Sequence, residues 1–402
     1  MTQAPGAPAP GAPGAPVLAW SPELVSYDFG VGHPMAPVRL LLTHALMTDL
    51  GLTDRFRVIG APVADDATLA LVHDPDYVAA VRRAQETHTP VPERGLGDED
   101  TPVFGAVHDA SARIVGATVA AAEEVWAGRA TRALSIAGGM HHAMPGRAAG
   151  FCVYNDCAVA IRRLLDLGAR RVVYVDLDAH HGDGVERAFW GDDRVLTISI
   201  HQHPATLFPG TGYAQDVGGA EARGWSANVA LPPETSDAHW LRAVEAVVEP
   251  LVREAAPDVL VTQHGADGHA RDPLTHLQVS IDAQRAAAIL MGQLADEHAC
   301  GRWVATGGGG YEVVNVVPRA WSHLAAVVAG TPLEPGTTVP ASWRAHVADL
   351  ADGAAPRTMT DLGTGEFKAF WTGYDPSSEV DRAILATRSA VFPWHGLDPT
   401  TA

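Results

Sequence analysis

Within six residues the chain carries Asp176, Asp178, His180 and His181, and Asp183 follows two positions later. Asp176, Asp178 and His180 alternate, so an extended backbone turns all three to one side. Carboxylate oxygen and imidazole nitrogen are donors that zinc or a related divalent ion accepts, and the remaining acids and imidazoles can orient ligands or move protons. The bland alternative is a polar loop with Asp183 in the first turn of a helix, which leaves so dense a cluster without a purpose. GGMHHA, with His141 and His142 in a glycine-rich setting, suits general acid/base work. QHGADGHARD offers a third ligand; Asp267 fits, with His264, His269 and Asp272 as rivals on spacing alone. In TGGGGYE, four glycines permit close backbone approach and leave the Tyr311 phenol free to donate to a developing oxyanion.

These stretches are far apart, so only the fold brings them together. Residues 171–176 form a short, β-branched, continuous apolar run, the pattern of a buried parallel strand. Further strands are expected at 133–136, 195–200, 228–231, 259–262 and 303–305, with 17–20 as an edge strand. Helices are expected at 38–50, 76–84, 107–127, 156–167, 184–190, 237–254, 282–298 and 313–328. The alternation predicts an α/β fold, one domain with a mostly parallel sheet and helices on both faces. Each polar stretch then follows the C-terminal end of a strand, the edge where open parallel sheets bind ligands. Arg39, at the start of a helix where a cation is disfavoured, either faces something specific or is an ordinary surface arginine.

Composition removes several classes. With 402 residues, 47% of them hydrophobic, the chain can bury a large core. A formal charge of −19 and the lack of a basic stripe argue against nucleic acid. No apolar run is long enough to span a membrane and no secretory signal is visible, so a cytoplasmic protein is expected. The three cysteines, Cys152, Cys157 and Cys300, show no CxxC spacing and are read as buried thiols. Residues 1–16 are almost entirely Pro, Ala and Gly and are read as a disordered or extended tail. Residues 17–330 are assigned to the catalytic domain and 331–402 to an extension packed on it.

The stretches GHPMAP, GGMHHA, GFCVYND, VDLDAHHGDG, FPGTG, GAD and GGGGY, in this order, resemble the zinc-dependent histone deacetylase family of the arginase/deacetylase fold. HPMAPVR, GADGHARDPLTHL and ATRSAVFPWHGL are most similar to its bacterial acetoin-utilisation branch. The resemblance spans about residues 20–395 and implies a role for each matching position. Asp178, His180 and Asp267 would hold zinc, with iron(II) as an alternative ion. Asp176 and Asp183 would orient His141 and His142, His142 would serve as base and then acid, and Tyr311 would hold the oxyanion. Phe151 and Phe208 would line a channel for the lysine methylenes, Gly150 would offer its carbonyl, and Asp100 would grip the substrate backbone. A structural potassium ion would sit at Asp176, Asp178, His180, Ser199 and Ile200, and Arg39 would belong to an internal acetate-release pocket. Thr101 stands where these deacetylases usually have cysteine, and Leu207 where a bulkier aromatic can occur.

The implied activity is hydrolysis of the acetyl amide of N-acetyllysine in proteins, metabolic enzymes such as an acetyl-CoA synthetase among them. Leu274 stands where polyamine-selective relatives carry an acid, which favours acetyllysine over the nearest alternative, acetylpolyamine hydrolysis. A ureohydrolase needs an acid where GGMHHA has imidazoles. A noncatalytic acetyllysine binder has no use for Tyr311.

Overall fold

The computed structural model describes residues 14–350 and 354–401. Eight strands form one sheet: β1 (Val17–Ala19), β2 (Arg57–Ile59), β3 (Arg132–Ser135), β4 (Val172–Asp176), β5 (Val195–Gln202), β6 (Ser226–Leu231), β7 (Val259–Gln263) and β8 (Trp303–Thr306). Their order is β2-β1-β3-β8-β7-β4-β5-β6, and every pairing is parallel. VVYVD of β4 and VLVTQ of β7 are buried at every position, as interior strands covered on both faces must be.

The order has a direct consequence for function. The chain passes from β3 to β4 leaving room for two strands, then returns to fill it with β7 against β4 and β8 against β3. The four strands that precede the chemistry-bearing stretches are therefore neighbours at the centre of the sheet. Their carboxyl ends open onto one crevice.

Helices 107–126 and 156–166 pack on each other on one face, while 237–255, 281–298, 317–328 and 38–49 pack in succession on the other. Two boundaries near the site are set by side chains. Asn155 caps helix 156–166 by accepting the Ala158 N–H. The helix expected from 313 begins only at Val317, because Glu312 accepts the N–H groups of Asn315 and Val316 and Pro318 occupies the first turn. Residues 307–316 are thereby kept as a loop at the sheet edge.

Other expectations also need correction. The first strand is interior, not an edge; β2, three residues too short and too exposed to show a pattern, lies outside it. The tail expected over 1–16 falls on residues 1–13, which lie outside the described residues, and on Gly14 to Pro16, which do not behave as a tail. Ala15 is fully buried, Gly14 bridges to Ala130, and the Pro16 carbonyl accepts from Arg57. Cys152 and Cys157 are buried free thiols, but Cys300 is exposed, on a turn after helix 281–298.

Residues 331–350 and 354–401 contact earlier elements at several places. Trp343, Val347 and Met359 bury the outer face of helix 38–49 with Leu42 and Leu46, and the Trp343 indole donates to the Leu42 carbonyl. Further along, Arg242 pairs with Asp381 through two hydrogen bonds of 2.8 Å. Such a bidentate pair holds orientation as well as charge.

Candidate active site

Asp178 and His180 follow β4 and Asp267 follows β7, and one ligand atom from each lies within 4.8 Å of the other two. His180 Nδ1 is 3.0 Å from Asp178 Oδ1 and 2.9 Å from Asp267 Oδ2. All three side chains are buried. Two buried carboxylates this close resist ionising together; burial and the Asp178 charge push the Asp267 carboxyl up. The two carboxylates outweigh the burial of His180 and hold its imidazole up at about 10. A site with so strong an affinity for positive charge, built from one nitrogen and two oxygen donors, fits a divalent ion of the zinc type.

The outward oxygens of these carboxylates are also engaged. Asp178 Oδ2 accepts from Gln263 Nε2 at 2.7 Å and from the Gly309 N–H at 2.8 Å, and Asp267 Oδ1 accepts from the Ala179 N–H at 2.9 Å. Gly309 explains one use of the glycine run: a Cβ there would lie 2.1 Å from Asp267 Oδ2. Only a glycine lets the β8 loop approach both carboxylates.

The β3 loop brings the two imidazoles to the same place. His141 Nδ1–H donates to Asp176 Oδ2 at 2.8 Å, His142 Nδ1–H donates to Asp183 Oδ1 at 2.7 Å, and the two Nε2 atoms are 3.1 Å apart. The pair is electrostatically split. Burial lowers the His141 imidazole, but Asp176 and Asp178 outweigh it and hold the group at about 9. Burial and the His141 charge press His142 down to about 4, leaving it neutral with Nε2 as a proton acceptor. Both backbones are fixed from below: Asn155 Nδ2 donates to the His141 and Ala143 carbonyls, and buried Asp156 accepts the N–H groups of Gly139 and Met140.

A cavity of about 220 Å³ opens above these groups, lined by Asp100, His142, Gly150, Phe151, His180, Leu207, Phe208, Leu274 and Tyr311. Its walls are aromatic and aliphatic, with the Phe208 ring 5.0 Å from His142 and Phe151 5.7 Å from Tyr311. Burial and the charges of Asp267 and Asp178 hold the Tyr311 phenol well above its ordinary range, so it remains a donor. The Tyr311 N–H is tied to Asp272 Oδ2 at 2.9 Å.

The rivals for the third ligand have other duties. His264 Nε2 meets Thr262 Oγ1 at 2.8 Å, His269 Nε2–H donates to Asp361 at 2.8 Å, and Asp272 accepts from Leu274 and Tyr311. Arg39 is buried and not a surface arginine; its Nη1 donates to the carbonyls of Gly308 and Gly310, and its guanidinium stacks over Trp321. Ser199 stands beside Asp176 across β4 and β5, with Ile200 next on the strand, and its hydroxyl meets His201 Nδ1 at 2.8 Å.

Sequence reasoning passed over Gln263, Asn155, Asp156 and Tyr27, whose hydroxyl donates to the Phe151 carbonyl at 2.6 Å. Gln263 had a signal, as a polar residue ending an otherwise apolar buried strand. Asn155 and Asp156 read only as a helix start.

Such a convergence, at the carboxyl edge of this sheet, is that of a deacetylase, and comparison with known proteins agrees. Residues 33–328 match the histone deacetylase domain, and the chain belongs to the histone deacetylase family. Among its relatives, the acetoin utilization protein AcuC of Bacillus subtilis is 39% identical over 348 residues, covering 86% of this chain and 89% of that protein. AcuC of Staphylococcus xylosus is 36% identical, over 84% of this chain and 89% of its own. The crystal structure of an HDAC homolog from Aquifex aeolicus superposes with a TM-score of 0.79 at 28% identity, covering 92% of this chain and 99% of that one. An HDAC homolog complexed with SAHA superposes with a TM-score of 0.78 at 28% identity, over 88% and 96% of the two chains. Among the described residues, no helix is long and apolar enough to cross a membrane.

Proposed function

We propose that this chain is a zinc-dependent amidohydrolase that removes the acetyl group from N-acetyllysine side chains of proteins. One observation carries the reading: the Asp178, His180 and Asp267 donors, the His142–Asp183 pair and the Tyr311 phenol share one end of a narrow cavity walled by Phe151 and Phe208. A divalent ion held by the three donors supplies Lewis acidity toward a carbonyl oxygen and acidifies water. His142 Nε2 takes the proton of the attacking water and returns it to the departing lysine amine. Asp183 holds the tautomer that this requires. His141, paired with Asp176, contributes positive charge beside the developing oxyanion, and Tyr311 donates its hydroxyl to that oxygen.

The aromatic walls suit four methylenes with no charge to solvate. Gly150, by its carbonyl, and Asp100, at the rim, would take the substrate amide and backbone N–H groups. A potassium ion would be held by Ser199, Ile200 and the backbone of Asp176, Asp178 and His180, since β4 ends at Asp176 directly opposite Ser199 of β5. Arg39, behind the glycine loop, would receive the released acetate. Metabolic enzymes are the proposed physiological substrates.

Leu274 in the cavity wall favours a polypeptide substrate over a cationic amine, which gains nothing from an aliphatic neighbour. The test is turnover of an acetyllysine peptide against acetylputrescine and acetylspermidine by zinc-loaded protein. The peptide is expected to win; a strong preference for either polyamine reverses the substrate assignment.

A further inference from the structure

The family match ends at residue 328, yet part of the segment beyond it is tied into the loops of the site. Residues 358–361 pass between the loop after β7 and the start of helix 317–328. His269, buried two residues after Asp267, accepts the Arg271 N–H at Nδ1, so the proton is on Nε2 and points at Asp361 Oδ2, 2.8 Å away. The other Asp361 oxygen lies 2.7 Å from Nη2 of Arg319, whose guanidinium is buried and also donates to the carbonyls of Asn315, Thr358 and Thr360. Asp361 Oδ2 also accepts the Ile281 N–H at 3.2 Å, while its two side-chain partners each lead to a loop of the site. The His269 carbonyl accepts the Asp272 N–H, and Asp272 in turn holds the Tyr311 N–H. Arg319 grips the end of the loop that presents Tyr311.

We infer that Asp361 is a positioning residue for Asp267 and Tyr311: its carboxylate locks the His269 loop to the Arg319 helix and so sets both metal retention and turnover. This rests on the metal reading above. A carboxylate behind a metal-ligating histidine governs affinity or activity by about 10- to 100-fold, and the same scale is carried over to His269, which acts here through the backbone and not as a ligand. A pure staple between surface segments would change stability alone.

The test compares wild type, Asp361→Asn, His269→Leu and His269→Gln. Zinc release to a chelator and kcat and KM on an acetyllysine peptide are measured well below each variant's Tm. Asp361→Asn and His269→Leu are expected to release zinc about 10-fold faster and to lose kcat about 10-fold with little change in KM. His269→Gln, whose amide N–H reaches toward Asp361, is expected to recover most of both. Zinc release and kcat unchanged in folded Asp361→Asn and His269→Leu, with only Tm lowered, would overturn the inference. Should Asp361→Asn not fold, His269→Leu and His269→Gln decide it. A wild-type chain that takes up no zinc would overturn the metal reading itself, a result distinct from equal retention by wild type and variants.

Discussion

The floor and the rim of the cavity are built differently. On the floor, Asp178 accepts from Gln263 and Gly309, His141 and His142 each have a carboxylate, and Asn155 and Asp156 fix the loop beneath them. At the rim, Phe208 is about half exposed, at 47%, and Leu274 is held by one backbone hydrogen bond to Asp272. A floor whose carboxylates and imidazoles are held by this many hydrogen bonds can keep reacting groups in one geometry. A rim held mainly by apolar contact can change its side chains at small cost, so under the proposed function selectivity and catalysis should be separable.

The contrast can be broken most forcefully at His142. His142→Ala should lower kcat by about 10²- to 10⁴-fold, the usual worth of a positioned acid/base, with bound zinc per chain unchanged. A near-normal rate would place the proton transfers elsewhere. Tyr311→Phe should cost about 10²- to 10³-fold in kcat, as removing one oxyanion donor does, again with zinc content retained. Wild-type-like turnover would remove the phenol from the mechanism. Gln263→Leu, which deletes a support and no ligand, should weaken zinc affinity by about 10- to 100-fold in chelator competition. Equal affinity would show that the Gly309 N–H alone orients Asp178.

The rim should respond on a smaller scale. Leu274→Glu should shift the ratio of acetylspermidine to acetyllysine-peptide kcat/KM by about 5-fold toward the polyamine, the effect of one solvent-accessible charge interaction of about 1 kcal/mol. Zinc affinity should not change. Were Leu274→Glu instead to abolish turnover of both substrates, the separation of rim from floor would fail.

Much of this site was legible before any coordinates. Strong apolar runs such as those of β4 and β7, each ended by a polar stretch, announce a parallel sheet with its chemistry at one edge. The donors Asp178 and His180 could be named from their types and density, although the strand stops at Asp176 and the chain bends through 178–180, so the extended backbone expected there does not set the side they share. The choice among Asp267, His264, His269 and Asp272 was not legible from spacing, because spacing within a loop does not set side-chain direction. His264 turns into the sheet toward Thr262, and His269 turns to a carboxylate 92 positions away in sequence. β2 escaped because three half-exposed residues carry no period.

By itself, then, the order of residues determined the inventory: which groups can bind a metal ion, move a proton or donate to an oxyanion, and that each follows a strand. Local pattern suffices for that, since strand and loop are decided by neighbours along the chain. Only the tertiary structure decided that β7 and β8 slot between β3 and β4, bringing four loops to one crevice. It also decided that Asp361, beyond the family domain, reaches back to the loops of Asp267 and Tyr311. Both depend on contacts between segments remote in sequence, whose partners no local periodicity encodes.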